Sequence, residues 1–130
     1  MSQSIQPNYW GPHGWKFIHF VALGYPENPD LQDKNNYKSF YQNLQMILPC
    51  KKCQKHYQEN LRKLPIDKFL ESKAKLFQWT VDIHNQVNED LGKIKYSYEE
   101  AYHALRSDNK TFWKVFIFLL ILLLIYWILK

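Results

Sequence analysis

Apolar positions along this chain recur at helical spacing and are interrupted by prolines, and no alternating run is long enough to predict a strand. Pro7, Pro26, Pro29, Pro49 and Pro65 mark the breaks. The pattern predicts a first helix over 11–23, with Pro12 near its first helical position and Gly24 closing it. A second helix is predicted over 30–48, a third over 50–62, and the longest over 67–91, where Gly92 and Lys93 occupy C-terminal capping positions. Ser97 and Glu100 have the spacing of a capping box for a short fifth helix ending near Arg106. The expected fold class is all-α: a four-helix bundle plus a short fifth helix, followed by a C-terminal transmembrane helix.

The last expectation rests on "VFIFLLILLLIYWIL" at 115–129, which carries no charge and no polar face. Fifteen helical residues reach about 22 Å against a hydrocarbon core of roughly 30 Å, so the span is predicted to include Phe112 and Trp113 with Lys114 snorkelling. Residues 1–108 are thus expected to form the functional domain and 112–129 a membrane anchor. Arg106, Lys110 and Lys114 precede the apolar run and only Lys130 follows it. That asymmetry predicts a single-pass protein whose N-terminal domain faces the cytosol.

Composition adds little to the fold but narrows the chemistry. With 130 residues and 17% aromatics, one core can form without a disulfide framework. Two cysteines also argue against a stapled secreted scaffold. The net charge of +5 arises from scattered lysines and arginines with no dense tract, so no nucleic-acid partner is expected.

Both cysteines lie in "LPCKKCQKHY", 48–57. Zinc could take Cys50, Cys53 and His56, with a fourth ligand from His13, His19, His84 or His103; the corresponding alternative function is a membrane-anchored helical zinc-binding or adaptor module. The usual second knuckle is missing, however, and no metal site is expected. Inert buried thiols are another reading. A redox pair fits better, because Cys50 follows Pro49 at a predicted helix N-terminus, where backbone N–H groups, Lys51 and Lys52 would stabilise a thiolate. The helical surroundings do not suit a thioredoxin-type motif, so a two-electron cofactor such as a flavin is the economical acceptor. His56 is assigned a local structural role.

Two further patterns could serve such a cofactor. Trp15 and His19 share a face of the first helix with Ala22, and His84 and Asn88 repeat the spacing on the fourth, beside Val87 and Leu91. Each is equally readable as core packing. Together they could stack on and hydrogen-bond a planar heterocycle. No Gly-rich dinucleotide loop or Walker loop is present.

The ordered combination W-G-x3-W-x3-H-x2-A, P-C-x-x-C-x-x-H and W-x4-H-N-x-V-N-x2-L-G-K resembles the Erv/ALR family of FAD-dependent sulfhydryl oxidases over about residues 9–105. The resemblance implies a helical bundle holding FAD and forming a noncovalent homodimer. It also implies oxidation of protein dithiols through a CxxC disulfide and FAD to O2, with hydrogen peroxide as product. Cys53 matches the cysteine next to the flavin, and Cys50 the sulfur attacked by substrate. Gly11, Trp15 and His19 match flavin-contacting positions of the first helix, and His84, Asn85, Val87, Asn88, Leu91 and Lys93 those of the fourth, with Lys93 toward the phosphates and His84 toward the adenine. The chain departs from the cellular pattern: it lacks a second cysteine pair, Val81 stands where a cysteine is often found, and Leu48 replaces the usual tyrosine. Electrons are then expected directly from a partner dithiol, a thioredoxin-like protein. The two-cysteine form is similar to versions carried by large cytoplasmic DNA viruses, which would place the anchor in a virion or host-derived membrane.

Overall fold

The computed structural model describes residues 5–106 and 108–129, with only the helical backbone described over 108–112. Every regular element among the described residues is helical: α1 (Pro7–Leu23), α2 (Leu31–Ile47), α3 (Lys51–Lys63), a 3-10 turn (Ile66–Phe69), α4 (Lys73–Asp90), α5 (Tyr98–Arg106) and α6 (Asp108–Leu129). The chain divides into two compact units, residues 1–96 and 97–130.

Within the first unit, α4 packs on α1 and α3, and α2 packs on α3. The core is aromatic: Tyr25, Tyr41, Tyr57 and Trp79 are buried with Ile18, Ala22, Leu76, Val81 and Ile83. A buried hydroxyl or indole N–H needs a partner, and each of these finds a backbone carbonyl. Tyr57 donates to Tyr41 O and Tyr41 to Ile18 O, both at 3.0 Å. Trp79 Nε1 donates to Leu64 O at 2.9 Å, and its ring meets Tyr41 edge-on at 5.0 Å.

Local chemistry sets the helix ends. Pro7, not Pro12, occupies the start of α1, so the helix begins four residues before the predicted position and carries Pro12 inside it. Asp30 caps α2 reciprocally with Asp33. The predicted long helix over 67–91 is two elements, because Ser72 accepts from Lys75 N and starts α4 afresh. The break leaves the Leu70 carbonyl to accept from the buried Tyr25 hydroxyl at 3.0 Å. α4 ends in a Schellman arrangement: Gly92 has φ 65°, its N–H bonds Glu89 O, and Lys93 N–H bonds Asn88 O at 2.7 Å. Only a residue comfortable at positive φ suits that position.

In the second unit the Ser97–Glu100 capping box forms as expected, with Ser97 N–H donating to Glu100 at 2.8 Å and Glu100 N–H to Ser97 Oγ at 3.2 Å. α6 corrects the expectation of a transmembrane helix. Among the described residues, no helix is long and apolar enough to cross a membrane. Its uninterrupted apolar run starts only after Lys114, and at about 1.5 Å per residue it falls short of a hydrocarbon core of roughly 30 Å. The single-pass topology, the cytosolic orientation and the virion or host membrane location fall with it. Large apolar side chains of α6 from Trp113 to Leu129 are exposed.

Removing the Tyr57 hydroxyl with Tyr57→Phe is expected to lower stability by about 1 kcal/mol in a denaturant titration. Trp79→Ala, which also empties a core position, is expected to cost about 3–5 kcal/mol.

Candidate functional site

Cys50 is the N-cap residue of α3, in extended conformation at φ −139° and ψ 117°, because Pro49 cannot continue α2 and the new helix begins at Lys51. Cys53 then falls in the first turn, and the two form a disulfide with Cα atoms 5.1 Å apart. Cys53 N–H points at Cys50 Sγ at 3.2 Å. Cys50 is only 7% exposed and Cys53 is half-buried. The N-terminal segment lies against this corner: Ile5 N–H donates to Pro49 O at 3.2 Å, and Trp10 Nε1 to Ile5 O at 3.3 Å. Gln54 Nε2, from the first turn of α3, donates to Leu48 O at 2.8 Å. Among the described residues, no group of three or more His, Cys, Asp or Glu side chains could hold a metal ion, and both cysteines are joined to each other.

A second cluster lies where α1 packs on α4. Trp15 stacks on His84 with ring centres 4.1 Å apart and an angle of 8° between planes. His19, one turn after Trp15, reaches His84 through a 3.1 Å contact between its Nε2 and His84 Nδ1. Its other nitrogen, Nδ1, is 2.8 Å from Thr80 Oγ1, and Thr80 donates to Phe77 O at 2.7 Å. Burial lowers the pKa of His19 from 6.5 to about 4. His84 is lowered equally, first by burial and then by the charges of His19 and Lys93. Both imidazoles are neutral at pH 7.

The remaining predicted positions surround this cluster unevenly. Asn88, one turn after His84, is buried with its Nδ2 unpartnered. Asn85 instead clasps the backbone of Tyr96, donating from Nδ2 to Tyr96 O at 2.8 Å and accepting from Tyr96 N–H at 2.9 Å. That clasp brings the Tyr96 ring to 6.4 Å from His84. Val87 is half-buried; Leu91 and Lys93 are exposed at the α4 terminus. Gly11 is half-buried near the start of α1, and a Cβ built there meets nothing within 4 Å. Among the described residues, no hydrogen bond or ring contact joins the cysteine pair to the Trp15–His19–His84 cluster.

Residues 12–108 match the sequence model of the Erv1 / Alr family. The chain belongs to the Erv1 / Alr family. It is 44% identical over 104 residues to "Probable FAD-linked sulfhydryl oxidase R368" of Acanthamoeba polyphaga mimivirus, covering 79% of this chain and 73% of that one. It is 30% identical to the FAD-linked sulfhydryl oxidase of African swine fever virus, covering 71% and 76%. The crystal structure of the yeast Erv1 core is similar at TM-score 0.68 and 30% identity, over 73% of this chain and 79% of that one.

Sequence reasoning missed two residues of this cluster. Tyr96 lies beyond α4 and carries no periodic signal. Thr80 did carry one, since 80, 84 and 88 are successive turns of one face, but a lone threonine in a helix reads as packing.

The neutral histidines give a pH prediction. Their folded pKa values lie below the unfolded value, so the unfolded chain takes up protons first as pH falls. The associated stability is complete above pH 6.5 and lost on descending toward the folded pKa of about 4. Denaturation midpoints are expected to fall across that window, and less steeply for His84→Gln. A flat profile in the wild type would contradict neutral imidazoles.

Proposed function

We infer that this chain is an FAD-linked sulfhydryl oxidase, which forms disulfides in other proteins and passes the electrons to O2. The reading is carried by the Cys50–Cys53 disulfide at the N-terminus of α3 in a chain of the Erv1 / Alr family. Residues 1–108 form the oxidase domain in this proposal.

The residues present fit FAD. The Trp15–His84 stack offers flat surface, and the buried Asn88 Nδ2 without a partner is a donor whose burial costs about 1–3 kcal/mol until an acceptor meets it. Lys93 supplies a cation close enough to His84 to depress its pKa. Gly11 leaves open space on the α1 side. In this reading Gly11, Trp15, His19, His84, Val87, Asn88, Leu91 and Lys93 hold the cofactor, while Asn85 acts through Tyr96, keeping the chain after α4 in place. The chemistry supplied by bound FAD is two-electron transfer to dioxygen, with hydrogen peroxide as product.

The protein's own part is thiol–disulfide exchange. A substrate thiolate attacks Cys50 Sγ, the Cys50–Cys53 bond breaks, and Cys53 leaves as a thiolate in the first turn of α3, where the helix N-terminus favours negative charge. The second substrate thiolate then displaces Cys50, giving the substrate disulfide and a reduced pair. Cys50 is also stabilised as an anion, since Cys53 N–H already points at its sulfur. Its low exposure requires the Ile5–Pro49 segment to yield to a substrate. Without a second cysteine pair in the chain, the electron donor is a separate dithiol protein, and a small thioredoxin-like fold suits it. A noncovalent homodimer belongs to the same proposal, supported by Phe17 and Phe20, which α1 leaves exposed.

Purified protein is expected to show flavin absorption and to consume oxygen with dithiothreitol, and Cys50→Ser and Cys53→Ser are each expected to reduce uptake to the uncatalysed level. Colourless protein, or uptake that survives both substitutions, would refute the oxidase. Given a pre-oxidised substrate, whose disulfide the Cys50 thiolate attacks with release of the other substrate thiolate, Cys53→Ser is further expected to accumulate a mixed disulfide that Cys50→Ser does not; the opposite pattern would reverse the two cysteine roles.

A further inference from the structure

Thr80 is fully buried and has a single hydroxyl proton, with two close neighbours competing for it. Phe77 O, at 2.7 Å, can only accept, and two oxygens at that distance without a proton between them would oppose their lone pairs. The hydroxyl proton therefore lies toward Phe77, and Thr80 Oγ1 faces His19 Nδ1 as an acceptor at 2.8 Å. His19 must carry its proton on Nδ1. In the neutral ring Nε2 is then bare, so the 3.1 Å contact to His84 requires the His84 proton on Nδ1. The same reasoning leaves His84 Nε2 bare, and among the described residues nothing hydrogen-bonds to it.

We propose that Thr80 is a positioning residue that fixes the tautomer of both histidines, so that His84 presents a lone pair at Nε2 and selects a ligand group that donates an N–H or O–H. FAD carries such donors in its amino, imide and hydroxyl groups. The polarity runs one way: ligand donor to His84, His84 to His19, His19 to Thr80, Thr80 to the Phe77 carbonyl. The final acceptor is a backbone oxygen that cannot reverse its role, and this anchors the row. Asn88 Nδ2, one turn beyond His84 and without a partner, offers the complementary donor on the same helix. Neutrality of both rings, which burial enforces, is a condition for the chain of tautomers.

The inference rests on the flavin-binding reading for the ligand, but not for the tautomers. Two-bond 15N–1H correlation spectra of histidine-labelled full-length protein at pH 7 read each ring directly. The expected pattern is a protonated Nδ1 and a bare Nε2 for both His19 and His84. Thr80→Val, nearly the same shape without an acceptor, is expected to redistribute both tautomers and weaken FAD binding by about five- to tenfold. Thr80→Ser, which keeps the hydroxyl, is expected to restore both. Protonated Nε2 in the wild type would overturn the proposal, as would a Thr80→Val protein with unchanged tautomers. Redistributed tautomers with unchanged FAD affinity would overturn the ligand-selecting role. Wild-type protein that binds no FAD yet shows the expected tautomers would remove the flavin reading and leave Thr80's role intact. If Thr80→Val fails to fold, the wild-type and Thr80→Ser spectra decide.

Discussion

The arrangement depends on one constraint: a core built from tyrosine and tryptophan must give every buried O–H and N–H an acceptor. The acceptors are main-chain carbonyls of the neighbouring elements, so each satisfied side chain also fixes a relative position. Tyr57 ties α3 to α2 and Tyr41 ties α2 to α1, and the Tyr41 hydroxyl ends on Ile18, the residue before His19. The register of α1, and with it the height at which His19 meets α4, is set by a hydrogen bond from a different helix. An aliphatic core of the same area would bury as much surface without specifying that height, because dispersion and burial are non-directional.

α4 turns this fixed register into chemistry. Its buried face carries Trp79 and Ile83 for packing, and its polar row at Thr80, His84 and Asn88 is set inside the same interface. Polar groups at such positions are destabilising unless paired. Thr80 and His19 are paired internally, whereas Asn88 Nδ2 is left open. The C-terminal end is held from both sides: Gly92 lets the backbone turn, and Asn85 catches Tyr96 on its return. Lys93 is thereby kept near His84 even though its side chain is exposed. At the other centre, Cys50 serves at once as helix cap and as half of the disulfide, so α3 formation and the electrostatics of the sulfur are one local event.

Much of this was legible in the sequence, for physical reasons that also explain the rest. Prolines and glycines act locally, which is why the ends of α2 and α3, the Gly92 cap and the Ser97–Glu100 box can be read within a residue or so. The cut between the 3-10 turn and α4 could not, because the decision between continuing a helix and restarting it at Ser72 depends on Tyr25, 45 residues away, requiring the Leu70 carbonyl. Pro12 misled for a similar reason: proline is acceptable inside α1, but the start is claimed by Pro7. Trp15, His19 and His84, which helical spacing put on two separate faces, meet where α1 packs on α4, and Asn85, beside His84 in sequence, grips the Tyr96 backbone, a contact that spacing could not show. The tail was read from its apolar run and the basic residues beside it, whereas among the described residues no helix is long and apolar enough to cross a membrane.

The two centres use polarity in opposite ways. At the cysteine pair, a thiolate released by opening the disulfide would meet an N-cap geometry and the exposed Lys51 and Lys52. At the histidine pair, charge is kept out by burial, and the result is a fixed pattern of donors and acceptors. Two imidazoles 3.1 Å apart could not both be protonated without strong repulsion in a poorly solvated interface. A neutral pair, by contrast, has one bare nitrogen between the rings and one at an end of the row, and a partner of fixed role such as Thr80 decides which end. Direction in such a row is thus set at its buried end.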